Sequence, residues 1–476
     1  MRAHSRLLNL NVAAVLLLAA TLLSGATPTG AATKPSIVFI LVDDAAAITL
    51  QHMPQTQALI ADRGATLNQF VYNQPLCCPS RATMLRGQYS QNTGIVSNDA
   101  PDGGYSGFYR KGNESSTLAT WFDAAGYTTG YLGKYFNGYP GKAGVPNRHV
   151  PAGYDRWFAD VGSSAEEFDY TINDDAVIRH YGTAPTDYGT DVLAAEAEDF
   201  IQHATAPFLL TVAPNAPHWP ATPAPRHEGM FADAQYPRTP SFNEDDVTDK
   251  PSVTAERQPM TTTDIAAIDA EHRLRLESLQ AVDEMVRRIV DTLEARNLLA
   301  DTYLLFASDN GYLQGEHLKR GGKNLPYEEA VTVPLYIRGP GIPAGSSVQQ
   351  QVGNVDLPVT LSDAAGITPP DFVDGRSFLP LVQGSSIPWR QSYLLGGVIG
   401  AGGEEGFAGI RTDRYTYAEY FSGEGEFYDR SVDPYQLVNT YPTMDPTLKA
   451  ALHDRLLALK NCRGSECRDI EEQALP

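Results

Sequence analysis

The sequence predicts an α/β fold: a large mixed, mostly parallel sheet flanked by helices, and a smaller C-terminal α+β unit with an antiparallel sheet. Three observations carry this prediction. Residues 35–42 and 302–307 are continuous apolar runs, which are typical of strands buried on both faces of a parallel sheet. Between them, apolar residues recur at helical spacing within roughly 263–296. From about residue 380, short strand-like segments alternate with glycine-rich turns.

The remaining elements follow from the same patterns. Further strands are predicted at 128–132, 208–212 and 333–337, and helices at 116–125 and 190–203. The C-terminal unit should contain short antiparallel strands and then a final helix, within 393–396, 409–420, 426–429 and 446–460. Residues 228–260, rich in Pro, Asp and Thr, are expected to form a long surface loop.

The length of 476 residues exceeds the usual size of one hydrophobic core, which favours two units. Residues 1–32 carry Arg2 and Arg6, then a short apolar run and small residues, the pattern of a secretory signal peptide. We therefore expect an α/β domain at 33–380 and an α+β subdomain at 381–476. Since no later apolar stretch is long enough for a bilayer span, we expect an exported protein, extracellular or periplasmic, without a membrane anchor.

The formal net charge is −21 at pH 7, which favours solubility. A general nucleic-acid binder needs a broad basic surface, and acidic residues outnumber basic ones here. The composition thus argues against nucleic acid as a partner, and any anion-binding site must be local.

Four cysteines are too few for a disulfide-dense scaffold. Cys462 and Cys467 bracket four residues and could close a small disulfide loop in an oxidising compartment. Cys77 and Cys78 are adjacent, so their α-carbons are ~3.8 Å apart, below the usual disulfide range of about 4.4 to 6.8 Å. Two neighbouring unpaired thiols in an exported protein require a special explanation.

Polar side chains follow both of the strongest strand predictions. Asp43 and Asp44 follow the first strand, and Asp309 and Asn310 follow the strand at 302–307. In open parallel sheets, ligands bind beyond the carboxyl ends of the strands, so these four residues should converge. Their oxygen-only donor set suits calcium or magnesium and not zinc, and calcium's larger, more flexible shell favours calcium. The alternative is that the carboxylates cap the helices that follow the strands.

The segment Cys77-Cys78-Pro79-Ser80-Arg81 resembles the signature of the formylglycine-dependent sulfatases. Other motifs occur in the order of that family: Asp43-Asp44, Gly133-Lys134-Tyr135, Ala216-Pro217-His218, Ser308-Asp309-Asn310-Gly311 and Arg411-Thr-Asp-Arg-Tyr. The resemblance covers nearly the whole chain after residue 32. The paired cysteines and residues 133–139 look most like the branch that contains N-acetylglucosamine-6-sulfatase.

The resemblance implies an alkaline phosphatase-like fold and a sulfuric ester hydrolase. It implies that a formylglycine-generating enzyme oxidises Cys77 to an aldehyde, whose hydrate attacks sulfur and forms a covalent sulfo-enzyme intermediate. The modified residue 77 would join Asp43, Asp44, Asp309 and Asn310 at the calcium ion. A sulfated carbohydrate is the expected substrate.

Four basic residues are expected to complete the site. Arg81, four residues after Cys77, could fold back to orient the hydrate if a helix begins near Pro79. Cations stabilise the negative oxygens of a transferring sulfuryl group, and by resemblance Lys134 and Lys323 bind the sulfate. His218 or Lys323 would then protonate the departing alcohol.

Two positions depart from the family pattern. Many sulfatases have a histidine that assists sulfate release where this chain has Phe136. Asn137, His149 or His317 are the alternatives for that role. Arg86 stands where a threonine often follows the cysteine motif.

Three other interpretations compete with sulfate ester hydrolysis. The same nucleophile and metal could serve a phosphate diester or phosphonate monoester hydrolase. The fold could also be kept by a non-catalytic, exported carbohydrate-binding protein. Finally, Cys77 could be a plain buried thiol or an ordinary thiolate nucleophile.

Overall fold

The structure is a computed structural model that describes residues 34–141, 145–162, 165–396 and 406–475. The expected signal peptide at 1–32 lies outside the described residues. In the part of the chain that is described, no helix combines the length and the apolar composition that a membrane crossing requires.

Sixteen strands form three sheets within the described ranges. In chain order the strands are β1 (Ser36–Val42), β2 (Ala65–Leu67), β3 (Phe70–Val71), β4 (Thr128–Gly133), β5 (Arg156–Asp160), β6 (Tyr170–Asp174), β7 (Val177–Tyr181), β8 (Phe208–Ala213), β9 (Thr302–Ser308), β10 (Leu335–Arg338), β11 (Ser346–Val348), β12 (Val352–Gly353), β13 (Tyr393–Gly396), β14 (Phe407–Arg411), β15 (Tyr415–Tyr420) and β16 (Gly425–Asp429).

The main α-helices surround these strands. They are Cys77–Arg86, Gly104–Arg110, Leu118–Ala124, Gly189–His203, Thr262–Ala295, Leu357–Ala364, Pro446–Asn461 and Ser465–Glu472. Shorter α-helical turns are Pro54–Thr56, Ser90–Thr93, Ser252–Ala255, Glu328–Val331 and Leu379–Val382.

The large sheet positions the candidate site. Its strand order is β11-β2-β10-β9-β1-β8-β4-β5-β6-β7, and the four central strands β9, β1, β8 and β4 run parallel. Val42 at the end of β1 pairs with Ser308 at the end of β9, and Gly133 at the end of β4 pairs with Ala213 at the end of β8. Four neighbouring strands therefore finish at one edge, and the segments that carry the predicted carboxylates, lysines and His218 leave from it. Cys77 and Arg81 lie instead on the helix that follows β3 of the two-stranded sheet.

The predicted α/β fold is confirmed, and burial explains why its strongest signals were correct. Every residue of β1, β8 and β9 is buried. The helix Thr262–Ala295 contributes Leu279, Val286 and Ile289 to the same core, and all three are fully buried. The strand predicted at 333–337 begins at Leu335 and runs antiparallel to β9, which makes the sheet mixed.

The C-terminal antiparallel sheet is also confirmed. Strands β13, β14, β15 and β16 pair in chain order, and Leu452, Leu456 and Leu459 of the helix Pro446–Asn461 pack into their core. This helix is not the final one, because Ser465–Glu472 follows it. The boundary at 380/381 stays a prediction.

The expected surface loop at 228–260 is partly buried, so that prediction was wrong in part. Tyr236, Phe242 and Met260 form an apolar cluster with Ile268 of the long helix. Lys250 is also buried and donates to the backbone carbonyls of residues 436 and 437. These buried side chains hold the segment against the rest of the protein, because burial of three large apolar side chains contributes roughly several kcal/mol of stability.

Candidate active site

Cys77 is the first residue of the helix Cys77–Arg86 and is buried. The helix begins two residues before Pro79, earlier than predicted, and ends where Gly87 adopts a left-handed conformation. The Cys77 sulfur lies 2.8 Å from Lys323 Nζ, 3.7 Å from Lys134 Nζ and 3.6 Å from Asp43 Oδ1. The predicted nucleophile therefore lies among the predicted lysines and carboxylates.

The protonation of Cys77 argues against an ordinary thiolate nucleophile. Burial raises the pKa of the Cys77 thiol well above its usual value, and Lys134 and Lys323 offset only part of this effect. An unmodified Cys77 is consequently a neutral thiol near pH 7, and neutral thiols are weak nucleophiles. Burial likewise raises the pKa of Cys78, to about 11.

The four predicted metal ligands converge as expected. Asp44 has a left-handed backbone, with φ of 61°, and its amide donates to Asp309 Oδ1 at 3.1 Å. Asn310 Nδ2 donates to Asp44 Oδ1 at 2.7 Å, while the Asp43 and Asp44 oxygens lie 3.6 and 4.0 Å from the Cys77 sulfur. None of the three carboxylates caps a helix in the described part of the chain, so the capping alternative was wrong. The first helices after β1 and β9 have Ala46 and Tyr327 at their N-caps.

The carboxylates keep their charge because cations surround them. Burial raises the pKa of the Asp43 carboxyl, but Lys134, His218 and other cations outweigh it and hold the pKa well below its usual range. The pKa of Asp44 is lowered in the same way, chiefly by Lys323 against burial. Asp309 differs, since burial and the neighbouring Asp43 charge raise its pKa to about 6.

The geometry fits a hard cation. Ligand atoms of Asp43, Cys77 and Asp309 lie within 4.8 Å of one another. Two ligands of one calcium ion at about 2.3 to 2.6 Å can be at most about 5 Å apart, so these atoms fit one coordination shell. Asn310 Oδ1 is buried and has no hydrogen-bond partner among the described residues, which leaves a carbonyl oxygen available to an ion.

The basic residues lie around this cluster. Arg81 Nε donates to Asp309 Oδ2 at 2.9 Å and its Nη1 donates to the Lys134 carbonyl at 2.6 Å. Its buried Nη2 has no hydrogen-bond partner among the described residues. Lys134 pairs with Asp43, Lys323 pairs with Asp44, and His218 Nε2 lies 3.5 Å from Asp44 Oδ2. All five residues predicted as catalytic are therefore in one cluster.

The three residues considered as substitutes for the missing histidine lie in different surroundings. Phe136 is buried and stacks on Phe108, with ring centroids 4.5 Å apart. His149 lies 2.9 Å from a Glu114 oxygen and His317 lies 2.7 Å from a Glu244 oxygen, so both belong to other polar clusters. Asn137 stays next to the cysteine motif, because its backbone N–H donates to Cys78 Sγ at 3.3 Å.

Arg86, which stands where the family often has a threonine, contacts backbone carbonyls and an aromatic ring. Its Nη1 donates to the backbone carbonyls of Asn113 and Ser116, and its guanidinium lies 4.7 Å from the Phe372 ring centroid. The side chain therefore ties the end of the helix to a neighbouring loop and does not contact the nucleophile.

Sequence reasoning missed two residues that hold the site together. Arg275, fully buried on the helix Thr262–Ala295, donates to the Asp44 carbonyl and lies 4.3 Å from the Tyr312 ring centroid. Tyr72 donates to the Ser308 carbonyl at 2.8 Å, just before Asp309. The only available signal was an arginine among the apolar positions of a helix.

Comparison with known proteins assigns the family. Residues 35–367 match the family model described as Sulfatase, and residues 315–462 match the one described as N-sulphoglucosamine sulphohydrolase, C-terminal. The first match covers more than half of the chain. The protein belongs to the sulfatase family of sulfuric ester hydrolases, and its fold is alkaline phosphatase-like.

The curated relatives refine this assignment. The chain is 31% identical to human (Homo sapiens) N-acetylglucosamine-6-sulfatase, over 91% of this chain and 86% of the relative. It is 33% identical to the extracellular sulfatase SULF-1 homolog of Drosophila melanogaster, over 76% of this chain and 33% of the relative. The predicted likeness to the N-acetylglucosamine-6-sulfatase branch is confirmed.

Solved structures share the fold at lower identity. A protein in complex with its substrate, D-glucosamine-2-N,6-O-disulfate, aligns with a TM-score of 0.78 at 22% identity, covering 92% of this chain and 99% of that one. The phosphonate monoester hydrolase of Agrobacterium radiobacter aligns with a TM-score of 0.70 at 20% identity, covering 90% of this chain and 95% of that one. The two similarities support the fold.

Proposed function

We propose that this sulfatase removes sulfate from a sulfated carbohydrate, with an N-acetylglucosamine 6-sulfate type of substrate, by using a formylglycine made from Cys77. The observation that carries the proposal is the surroundings of the Cys77 sulfur, which has two lysine ammonium groups and two carboxylates within 4.0 Å. A sulfate ester needs cations at its oxygens and a nucleophile at sulfur, and this cluster offers both. The similarity to N-acetylglucosamine-6-sulfatase supports the choice of sugar.

The hydrated aldehyde at position 77 would supply one hydroxyl that attacks sulfur and a second hydroxyl whose proton loss expels sulfate. Lys134 and Lys323 bind the sulfate oxygens, because each ammonium lies beside the nucleophilic side chain. The free Nη2 of Arg81 is available to orient the hydrate. Asn137, next to Cys78, is the candidate for assisting sulfate release.

His218 is the better acid for the departing alcohol. Burial lowers the pKa of His218, with Asp43 and Asp44 acting in the opposite direction, so its imidazolium is a stronger acid than a lysine ammonium. The pKa of Lys323 is instead held well above its usual value, because its neighbouring carboxylates, Asp44 first, outweigh burial. A group with such a high pKa gives up its proton poorly, so Lys323 serves as a fixed cation.

A leaving-group series tests the role of His218. His218→Ala should slow an alkyl or sugar sulfate much more than an aryl sulfate, because a phenolate needs little protonation to depart. Equal loss on both substrates would show that His218 does not act as the acid.

Asp43, Asp44, Asp309 and Asn310, with an oxygen of the modified residue 77, would hold the metal ion. We propose calcium rather than magnesium, since this many protein ligands on two loops suit its larger and less regular shell. The bound ion would offset the negative charge of the reacting sulfate group. Chelation followed by titration with each ion should restore sulfate release with calcium at lower concentration than with magnesium; the reverse order would reject the choice of calcium.

A sulfate-release screen tests the function itself. The matured protein and Cys77→Ala should be compared on sulfated hexosamines, an aryl sulfate and a bis-aryl phosphate. Turnover of the sulfated sugar that is lost in Cys77→Ala supports the proposal. Activity that survives Cys77→Ala would reject the site.

The second candidate is a phosphonate monoester or phosphate diester hydrolase. It is favoured by one observation, the fold shared with a phosphonate monoester hydrolase. A strong preference for phosphorus esters in the same screen would support it. The non-catalytic carbohydrate-binding alternative predicts no turnover of any ester by the matured protein.

We further propose export to the extracellular space or the periplasm, with maturation by a formylglycine-generating enzyme. The disulfide between Cys462 and Cys467 supports an oxidising compartment. We also propose that the chain comprises a signal peptide at 1–32, a catalytic domain at 33–380 and a C-terminal subdomain at 381–476. Limited proteolysis of the mature protein would test the second boundary.

A further inference from the structure

The side chains of the candidate site differ in how far they reach solvent. The carboxylates of Asp43, Asp44 and Asp309 are at most 3% exposed. Lys134 and Lys323 are 12% and 11% exposed, whereas the His218 side chain is 31% exposed. A substrate must therefore enter on the side where His218 lies.

Trp219 follows His218 directly and is 64% exposed. The other three tryptophans of the chain, Trp121, Trp157 and Trp389, are at most 8% exposed. The other three tryptophans make aromatic or cation–π contacts with neighbouring side chains. Trp219 makes no such contact with any of the described residues. A large apolar ring is thus left open to solvent beside the entrance of the site.

The turn that carries Trp219 is held in place on both sides. His218 N–H donates to the Asn215 carbonyl at 2.9 Å, and Ala221 N–H donates to the His218 carbonyl at 2.8 Å. The His218 ring Nδ1 also lies 2.6 Å from the Trp219 carbonyl oxygen. Buried Ala221 has φ of 56°, a conformation that alanine rarely adopts and that tends to occur at functional sites. The exposed ring and the candidate acid are therefore held on one stiff turn.

We propose that Trp219 is the stacking platform for the sugar ring of the substrate, an inference that rests on the proposed function. When the sulfate oxygens contact Lys134 and Lys323 and the departing oxygen faces His218, the attached sugar ring must lie at the entrance. The faces of a pyranose ring carry C–H groups, which pack on an indole ring and remove apolar surface of both from water. A preformed aromatic surface loses little conformational entropy on binding.

The kinetic test compares Trp219→Ala and Trp219→Phe with the matured wild-type protein. The ratio of kcat/KM for N-acetylglucosamine 6-sulfate to that for methyl sulfate should fall about tenfold in Trp219→Ala, mostly through KM, because methyl sulfate has no ring to stack. Trp219→Phe should recover part of the ratio. Phe421→Ala, which removes another aromatic ring that is 62% exposed, is the matched control and should keep the wild-type ratio. An unchanged ratio in Trp219→Ala would overturn the proposal.

A binding measurement tests the same proposal without turnover. Because Trp219 is the exposed tryptophan, acrylamide should quench its fluorescence selectively, and Trp219→Phe should remove the quenchable component. In Cys77→Ala, saturating N-acetylglucosamine 6-sulfate should protect this component from acrylamide. Binding without protection would overturn the stacking role. Failure of the proposed function has a different signature, namely no turnover of any sulfate ester by the matured wild type.

Discussion

Replacing Arg275 should weaken metal binding without unfolding the protein. Its Nη2 donates to the carbonyl of Asp44, the candidate ligand whose backbone is left-handed. Its Nη1 lies 3.7 Å from Glu271, and both Nη1 and Nε lack hydrogen-bond partners among the described residues. Arg275 therefore positions the backbone of Asp44 without being a candidate metal ligand itself.

The magnitude for Arg275→Met follows from these contacts. Loss of the hydrogen bond from a charged group lowers the free energy of unfolding by about 1.5 to 3 kcal/mol. The substitution also removes two buried N–H groups that have no partner, which raises the free energy of unfolding by a similar amount. The metal-free free energy of unfolding should therefore change little. Residues that orient metal ligands typically contribute about 10-fold to 100-fold in metal affinity. At a fixed calcium concentration, that loss lowers the calcium-dependent stabilisation by about 1.4 to 2.7 kcal/mol.

Urea unfolding with and without calcium measures both quantities. Arg273→Met is the control, since Arg273 lies on the same helix but donates to the carbonyl of Ala234, which is not a candidate metal ligand. It should keep the full calcium increment. An Arg275→Met variant that retains the wild-type calcium increment, or that loses stability equally with and without calcium, would refute this role of Arg275.

Three further predictions concern other parts of the molecule. Replacing Cys462 and Cys467 with serine should lower the free energy of unfolding in urea by about 2 kcal/mol, because their disulfide closes a short loop, and should leave sulfate release unchanged. Burial raises the pKa of Glu328, but Arg411 and Arg430 outweigh burial and lower the pKa to about 2. A carboxyl whose pKa is lowered in the folded state stabilises the fold at pH values above its pKa in the unfolded chain. The free energy of unfolding should therefore fall as the pH drops from 4.5 to 2, and it should fall less steeply in Glu328→Gln. Phe136→His should cost roughly 2 to 3 kcal/mol in the same urea assay and should not raise kcat, because the ring at this position packs in the core.

The fold was predictable where the sequence is apolar and continuous. Strands β1, β8 and β9 are buried on both faces, so their composition alone identifies them. Strands β5, β6 and β7 were missed because they carry charged and polar residues; Val177 and Ile178 of β7 are exposed, so no buried face marks that strand. The loop at 228–260 was misjudged because its few apolar anchors are separated by polar residues.

The site was predictable because the ends of parallel strands meet at one edge. Asp43 and Asp309 follow the paired strands β1 and β9, and this register brings them together across more than 260 residues of sequence. The role of Arg275 could not be predicted, because its contact with Asp44 depends on how a helix packs against a loop. The packing of Phe136 against Phe108 could not be predicted either, because it depends on side-chain direction, and the periodicity of the sequence does not reveal that direction.

The chemical state of residue 77 in active protein is the most direct test. Peptide mass spectrometry of the protein matured with a formylglycine-generating enzyme should find an aldehyde at position 77, and sulfate release should rise in proportion to the converted fraction. Full activity in protein whose Cys77 is still an intact thiol would contradict the account.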